Sequence, residues 1–178
     1  MILINKLIYL DNWQHITYRN GEITASSVWS DSHLPQLVNF ADGLPWHDGG
    51  SGENQWLEFT FATPVTINGF RTKAHSSWDG SAFKDYEFQV YANSWITIKS
   101  GVGENQDCCE WQVILFNETT SHRFRLFMKN NWGYGYLTIQ ELQLSFLNGI
   151  VLFIMYDILF LVPASINLFC IISRYGGF

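Results

Sequence analysis

Cysteine, proline and cationic side chains are all scarce in this sequence. Of 178 residues, three are cysteine, four are proline and ten are lysine or arginine. Cys108 and Cys109 are adjacent and Cys170 stands apart in a different kind of segment, so no disulfide framework can be read. No CxxC or His-x-His pattern accompanies them, and two neighbouring thiols are poor partners for one tetrahedral ion. Ten basic residues against sixteen acidic ones give a net charge of −6. That balance lacks the clustered cationic surface a phosphate backbone requires, and nucleic acid is not expected as a partner. The five histidines lie apart, with no serine or cysteine nucleophile motif beside them, and the reading is non-enzymatic. No clean apolar core followed by a small-residue cleavage site opens the chain, since Asn5 and Lys6 interrupt its first apolar residues.

What is abundant is apolar and aromatic: 47% of residues are hydrophobic and 17% aromatic, enough for one domain with a real core. Gln55 to Phe61 alternates strictly, with Leu57, Phe59 and Phe61 on one face and Glu58 and Thr60 on the other. Val65 to Ile67 and Phe70 to Ala74 alternate too, but the phase slips at Asn68-Gly69, as it does at a β-bulge. Strands are predicted at Ile23 to Ser26, Asp85 to Val90, Trp95 to Lys99, Trp111 to Leu115, His122 to Met128 and Tyr136 to Phe146. Loops rich in Gly, Asn, Ser and Pro separate them, including a turn over Asn117 to Ser121. About eight strands without a convincing amphipathic helix predict an all-β fold, an antiparallel jelly-roll β-sandwich. Residues 1–21 form a leader of unassigned structure, 22–147 the sandwich and 148–178 a hydrophobic tail outside it.

The tail is apolar from Ile150 to Ile172. As a helix rising about 1.5 Å per residue it is long enough for a bilayer core of roughly 30 Å, which gives possible membrane anchorage through 150–172. Asp157 and Pro163 count against a span, and the alternative is a hydrophobic tail foreign to the domain. Asn117-Glu118-Thr119 is a glycosylation acceptor pattern if the chain is secreted.

Several landmarks resemble those of the coagulation factor 5/8 type C, or discoidin, family within the galactose-binding-like jelly rolls. They are Ile23-Thr-Ala-Ser-Ser27, Ala41-Asp42-Gly43 with Trp46, Gln55 to Phe61, Ile67 to Thr72, Tyr86 to Tyr91, Phe124-Arg-Leu126 and Ile139 to Leu144. The resemblance implies an eight-stranded sandwich that recognises glycans, anionic lipid headgroups or proteins through loops at one end, at the cell surface or outside the cell. The cysteine pair that bridges many extracellular members is missing, which draws the reading towards carbohydrate-binding modules and a role in adhesion. The resemblance also implies a structural Ca²⁺ held by Asp42 and Glu141. From pattern alone the phase slip at Gln140-Glu141 turns the Glu141 carboxylate inward, where it needs a partner; an Asp-Gly turn and an exposed Glu are the alternative.

Ligand-binding candidates are Trp29, His33, His75, Trp78, Asp79, Asn131, Trp132 and Tyr134. They occupy separate polar loops and combine aromatic platforms with hydrogen-bonding groups, as the apolar face and hydroxyl fringe of a sugar ring require. The alternative is that these aromatics cap the ends of the sandwich. Trp56, Trp95 and Trp111, lying within strands, are expected in the core. Arg71, Lys73 and His75 form either an anion-contacting stripe or a solvated strand face, and so do Arg123 and Arg125.

Overall fold

The computed structural model describes residues 13–40, 43–75, 78, 80–105, 110–146, 150–155 and 158–163, the last two stretches as backbone. Trp13–Phe146 forms one compact unit. Its strands are β1 (Trp13–Gln14), β2 (Gly21–Ala25), β3 (Trp46–His47), β4 (Gln55–Lys73), β5 (Asp85–Tyr91), β6 (Trp95–Val102), β7 (Gln112–Met128), β8 (Thr138–Ile139) and β9 (Glu141–Phe146). All pair antiparallel, in the galactose-binding-like β-sandwich arrangement.

Two long strands build both faces of the sandwich. The first half of β4 pairs with β2 on one side and with the end of β7 on the other, while β5 and β6 extend that sheet. The second half of β4 pairs with the start of β7 and with β9, which in turn pairs with β1. Register shifts between Thr60 and Val65, and between Ile67 and Gly69, mark the passage from one sheet to the other. The second shift is the bulge predicted at Asn68-Gly69. A side chain at Gly69 would press on the Ile114 carbonyl, at 2.9 Å.

The turn expected over Asn117–Ser121 is part of β7 instead. Thr120 and Ser121 continue the ladder opposite Thr66 and Val65, and the Thr66 and Thr120 hydroxyls meet at 2.7 Å. Polar residues that look like a turn in sequence are here the exposed crossing between sheets. The predicted last strand divides into β8 and β9 at Gln140, where the phase slip was read. The leader contributes β1 and a 3₁₀ turn, Ile16–Arg19, whose Ile16 is fully buried.

The core follows the alternation. Leu57, Phe59, Phe70, Phe88, Phe124 and Leu126 are fully buried, with the Phe70 and Phe88 rings stacked at 4.8 Å. Trp46 is the indole of this core, its Nε1–H donating to the Ser27 carbonyl at 3.2 Å. Trp56, Trp95 and Trp111 are only half-buried, contrary to expectation. Trp56 shares the parity of Glu58 and Thr60 and so lies on an outer face, while guanidinium groups cover the other two. Arg71 sits 4.1 Å from the Trp111 ring and Arg125 4.3 Å from the Trp95 ring. In each stripe one guanidinium, that of Arg71 or Arg125, is thus engaged by an aromatic face.

Beyond this unit, β10 (Ile150–Met155) pairs antiparallel with β11 (Ile158–Pro163). The single helix expected across 150–172 does not form over these residues, and no helix among the described residues is long and apolar enough to cross a membrane. Ile, Val and Phe favour the extended chain, and Pro163 cannot serve a helix interior. Residues 164–172 lie outside the described residues.

Candidate functional site

Four loops converge, and the sequence shows how each is held. Gln55, first in β4, ties two of them. Its Oε1 accepts from the Ser27 hydroxyl at 2.6 Å and from that of Ser26, and its Nε2 donates to Ser51 Oγ at 2.6 Å. Asp48 heads the glycine-rich turn and is wholly buried. Its carboxylate accepts from the backbone N–H groups of Gly50, Gly52 and Leu137, at 3.2, 2.8 and 3.1 Å. Such bonds satisfy a charge that burial would otherwise make costly. Gly52, at φ +65°, leaves room for Asn131, whose Nδ2 would lie 2.9 Å from a Cβ there. The third loop turns at Gly80 (φ +82°) and docks on β8 through the Ser81 and Thr138 hydroxyls, 2.7 Å apart.

On this frame the rings of the four loops form one cluster. His47, in β3, is buried with its ring between Tyr136, at 3.8 Å, and Trp29, at 4.9 Å. Trp29 also lies 4.9 Å from His33, and His33 lies 5.6 Å from His47. Trp78 meets His47 and Tyr136 edge-on, at 5.6 and 5.9 Å, and His75 stacks on Trp78 at 4.1 Å. Tyr134 closes the series 4.7 Å from Tyr136. Trp29 is 60% exposed, so one face of the cluster is open to water.

One hydrogen bond assigns a tautomer. His47 Nδ1 lies 2.6 Å from the Asp48 carbonyl, an acceptor, so Nδ1 carries the hydrogen. Ser30 Oγ accepts from the Ser32 N–H at 3.3 Å and shares a hydrogen bond with His33 Nδ1 at 3.0 Å. Burial and the neighbouring His47 hold His33 below the ordinary imidazole value, and burial and His33 do the same to His75. The Tyr136 phenol is pushed up by its hydrogen bond to Tyr134 and by burial. His33 and His75 are thus disposed to the neutral form, able both to stack and to exchange hydrogen bonds with hydroxyl groups.

Of the eight residues predicted from sequence, Trp29, His33, His75, Trp78 and Tyr134 come together here. Asn131 does not present its amide. Its Oδ1 accepts from the N–H groups of Gly133 and Tyr134, and its Nδ2 donates to the carbonyls of Tyr134 and Tyr136, which fills its capacity. Asn131 shapes the loop. Trp132 is 37% exposed with the Lys84 ammonium 5.0 Å from its ring, and no ring contact joins it to the cluster among the described residues. Asp79 lies outside the described residues. His47, Asp48 and Tyr136 escaped the sequence reading. A His-Asp pair directly before Gly49-Gly50 was the available signal, because a carboxylate at the head of such a turn can cap several N–H groups.

Glu141 does turn inward and is 3% exposed. One of its oxygens lies 3.1 Å from His15 Nε2 and accepts from Gln143 Nε2 at 3.0 Å; the other lies 3.3 Å from the Lys73 ammonium. This donor set does not fit Ca²⁺, which would have to displace the ammonium to reach the carboxylate. Asp42 lies outside the described residues, and no group of metal-ligating side chains is found among those described.

The model of the F5/8 type C domain matches residues 22–142. The chain belongs to this family. No curated protein matches it. Among solved structures, this F5/8 type C domain is similar to CpGH89CBM32-5 from Clostridium perfringens, in complex with GalNAc-β-1,3-galactose. The TM-score is 0.63 at 20% identity, over 71% of this chain and 95% of that one. It is similar also to the family 32 CBM from C. perfringens NanJ in complex with galactose, with a TM-score of 0.64 at 13% identity, over 76% and 98% of the two chains. A third is the CBM32 of AlyQ in complex with 4,5-unsaturated mannuronic acid, with a TM-score of 0.58 at 18% identity, over 74% and 96%. At these identities the likeness is one of fold.

Proposed function

We propose that this domain is a recognition module, not a catalyst, and that it binds carbohydrate at the four converging loops. One observation carries the reading: indole, imidazole and phenol rings from separate loops form a single contiguous surface with Trp29 exposed. Trp29 and Trp78 supply apolar platforms for a sugar ring, and His33, His75 and Tyr134 supply its hydrogen-bonding fringe. Solved neighbours of the same fold that hold GalNAc-β-1,3-galactose, galactose and 4,5-unsaturated mannuronic acid support it. Displayed outside the cell, such a module would serve adhesion or bring a larger enzyme to its glycan. The test is glycan profiling of the full chain beside Trp29→Ala and Trp78→Ala. Stacking of this kind contributes about 1 kcal/mol beyond area burial, so each variant loses roughly tenfold or more in affinity. A glycan signal indifferent to both substitutions sinks the site.

A second reading rests on exposed apolar side chains, Trp29 at 60%, Phe40 at 56% and Leu44 at 49%. These would enter an anionic lipid surface as an apolar spike. Liposome binding lost on Trp29→Ala, with no glycan signal, would replace the first reading by this one; the net charge of −6 disfavours it.

A further inference from the structure

Trp132 stands outside the ring cluster, yet its loop holds it firmly. Asn130 Oδ1 accepts from the Asp85 N–H at 2.9 Å, and Asn130 Nδ2 donates to Asp85 Oδ2 at 2.7 Å. The Lys84 N–H donates to the Asn130 carbonyl at 2.9 Å, and Asn131 forms an antiparallel bridge with Phe83. The Trp132 N–H then donates to the Gly80 carbonyl at 3.0 Å, and a side chain at Gly80 would meet the Trp132 carbonyl at 3.3 Å. The Lys84 ammonium lies over the indole, 5.0 Å from the ring centre, and Trp132 is still 37% exposed. An aromatic surface fixed in this way loses little freedom when a ligand covers it. Its place beside the cluster follows from the chain. Trp132 comes two residues before Tyr134, and Gly80, to which it bonds, comes two residues after Trp78. Tyr134 and Trp78 both belong to the cluster. Two residues of chain reach at most about 7 Å, so the Trp132 backbone is within a short step of both.

Resting on the carbohydrate reading above, we propose that Trp132 and Lys84 form a second subsite beside the ring cluster, which takes the next sugar residue of an oligosaccharide. The cluster around Trp29 and Trp78 holds one sugar ring. Trp132 gives the adjoining residue a platform for its apolar face, and the Lys84 ammonium brings N–H donors to the rim of that platform for the sugar oxygens. Trp111 shows what a closed indole looks like in this fold. Two cations cover it, and one of them, Arg71, is pinned by its bonds to Gln143 Oε1. At Trp132 the covering cation is a lysine, whose flexible stem lets the ammonium turn from the indole to a ligand oxygen. Among the described residues no ion pair holds it back, and the neighbouring Asp85 carboxylate is engaged by Asn130. The ligand class that fits is a glycan of at least two residues, bound across Trp78 and Trp132.

The experiment is calorimetric titration of the full chain with galactose, glucose and mannose, and with a β-linked disaccharide of each. For a sugar that binds, the disaccharide is expected to bind roughly tenfold more tightly than the monosaccharide, the gain from one further stacked ring. Trp132→Ala is expected to bring that ratio close to one and Lys84→Met to lower it severalfold, whereas Trp78→Ala weakens both sugars. A wild-type ratio near one, or a ratio that survives in either subsite variant, overturns the proposal and leaves the carbohydrate reading intact. Should Trp132→Ala misfold, the indole N–H resonance of wild-type Trp132 decides. It must shift further with the disaccharide than with the monosaccharide, and an equal shift or none overturns the proposal. If none of these sugars binds or moves any aromatic resonance of the cluster, the carbohydrate reading itself fails and this inference with it.

Discussion

Trp78 and Trp111 are both half-buried indoles in polar surroundings, yet they stand in opposite situations. Trp111 lies on the outer face of a sheet beneath two cations, the Arg71 guanidinium at 4.1 Å and the Lys73 ammonium at 4.4 Å. Arg71 is itself fixed by two hydrogen bonds to Gln143 Oε1, at 3.0 and 2.6 Å. The same arrangement recurs at Trp95, where Arg125 stacks at 4.3 Å and donates to Gln89 Oε1. On these faces the π-surface is used up inside the protein. Around Trp78 the partners are the rings of His75, His47 and Tyr136, and a neighbouring indole, Trp29, is open to solvent. A strand sets its cations two residues apart beside the aromatics of the next strand, so pairing within the sheet follows from register. Loops have no such register, and what they collect must be held by hydrogen bonds from below.

The sharpest way to break the loop region is therefore to remove its support. Asp48→Ala leaves three N–H groups without an acceptor in a buried turn. Hydrogen bonds to a charged group contribute about 1.5–3 kcal/mol each and do not add fully. The expected loss is about 3 kcal/mol of stability by denaturant titration, together with glycan binding. A variant that melts like the wild type would show that the turn holds without its carboxylate.

A smaller effect separates the two indoles. Trp78→Ala is expected to remove binding by roughly tenfold or more at a stability cost below that of Asp48→Ala. Trp111→Ala should leave binding unchanged and cost about 1–2 kcal/mol, the sum of two half-exposed cation–π contacts and some lost area. Equal losses of binding in the two variants would erase the distinction.

Sequence made the sheets easier to read than the loops, for a physical reason. Alternation at Leu57, Phe59 and Phe61 reports which side is buried because a strand has only two sides. The same logic located the bulge at Asn68-Gly69 and the inward turn of Glu141. It failed where polarity was taken for a turn, at Asn117–Ser121, since a strand crossing between two sheets may be exposed on both faces without ceasing to pair. It failed also for Trp56, Trp95 and Trp111, whose size suggested the core, although Trp56 shares the parity of the outward Glu58. In the site, Trp29, His33, His75, Trp78 and Tyr134 could be picked out as aromatic or imidazole groups in polar loops. Asn131 carries the same signature, but its amide serves the backbone, and no local pattern separates an amide that folds a loop from one that meets a ligand. His47 was hidden beside Trp46, because only the pairing of β3 with β8 brings it under Tyr136.

Acid sharpens the comparison by the smallest amounts. In the loop region His33 and His75 are held below the value of a free imidazole, so the unfolded chain binds protons first as pH falls. Their neutral state supports the fold fully above about pH 6.5, and stability declines below it. On the strand face the order is the same, but at lower pH. Glu87 is drawn down to about 2, chiefly by its hydrogen bond from Lys129 and then by that from Thr97. Its contribution is complete above the ordinary Glu range, near 4.5, and disappears only as pH falls towards 2. Lys129 is 46% exposed, so water screens most of the attraction and Glu87→Gln should cost less than about 1 kcal/mol. Melting measured from neutral to strongly acidic pH should thus show two separate declines. His33→Gln/His75→Gln should remove the first and Glu87→Gln the second, and a single merged decline unaffected by either would mean that the two regions do not titrate independently.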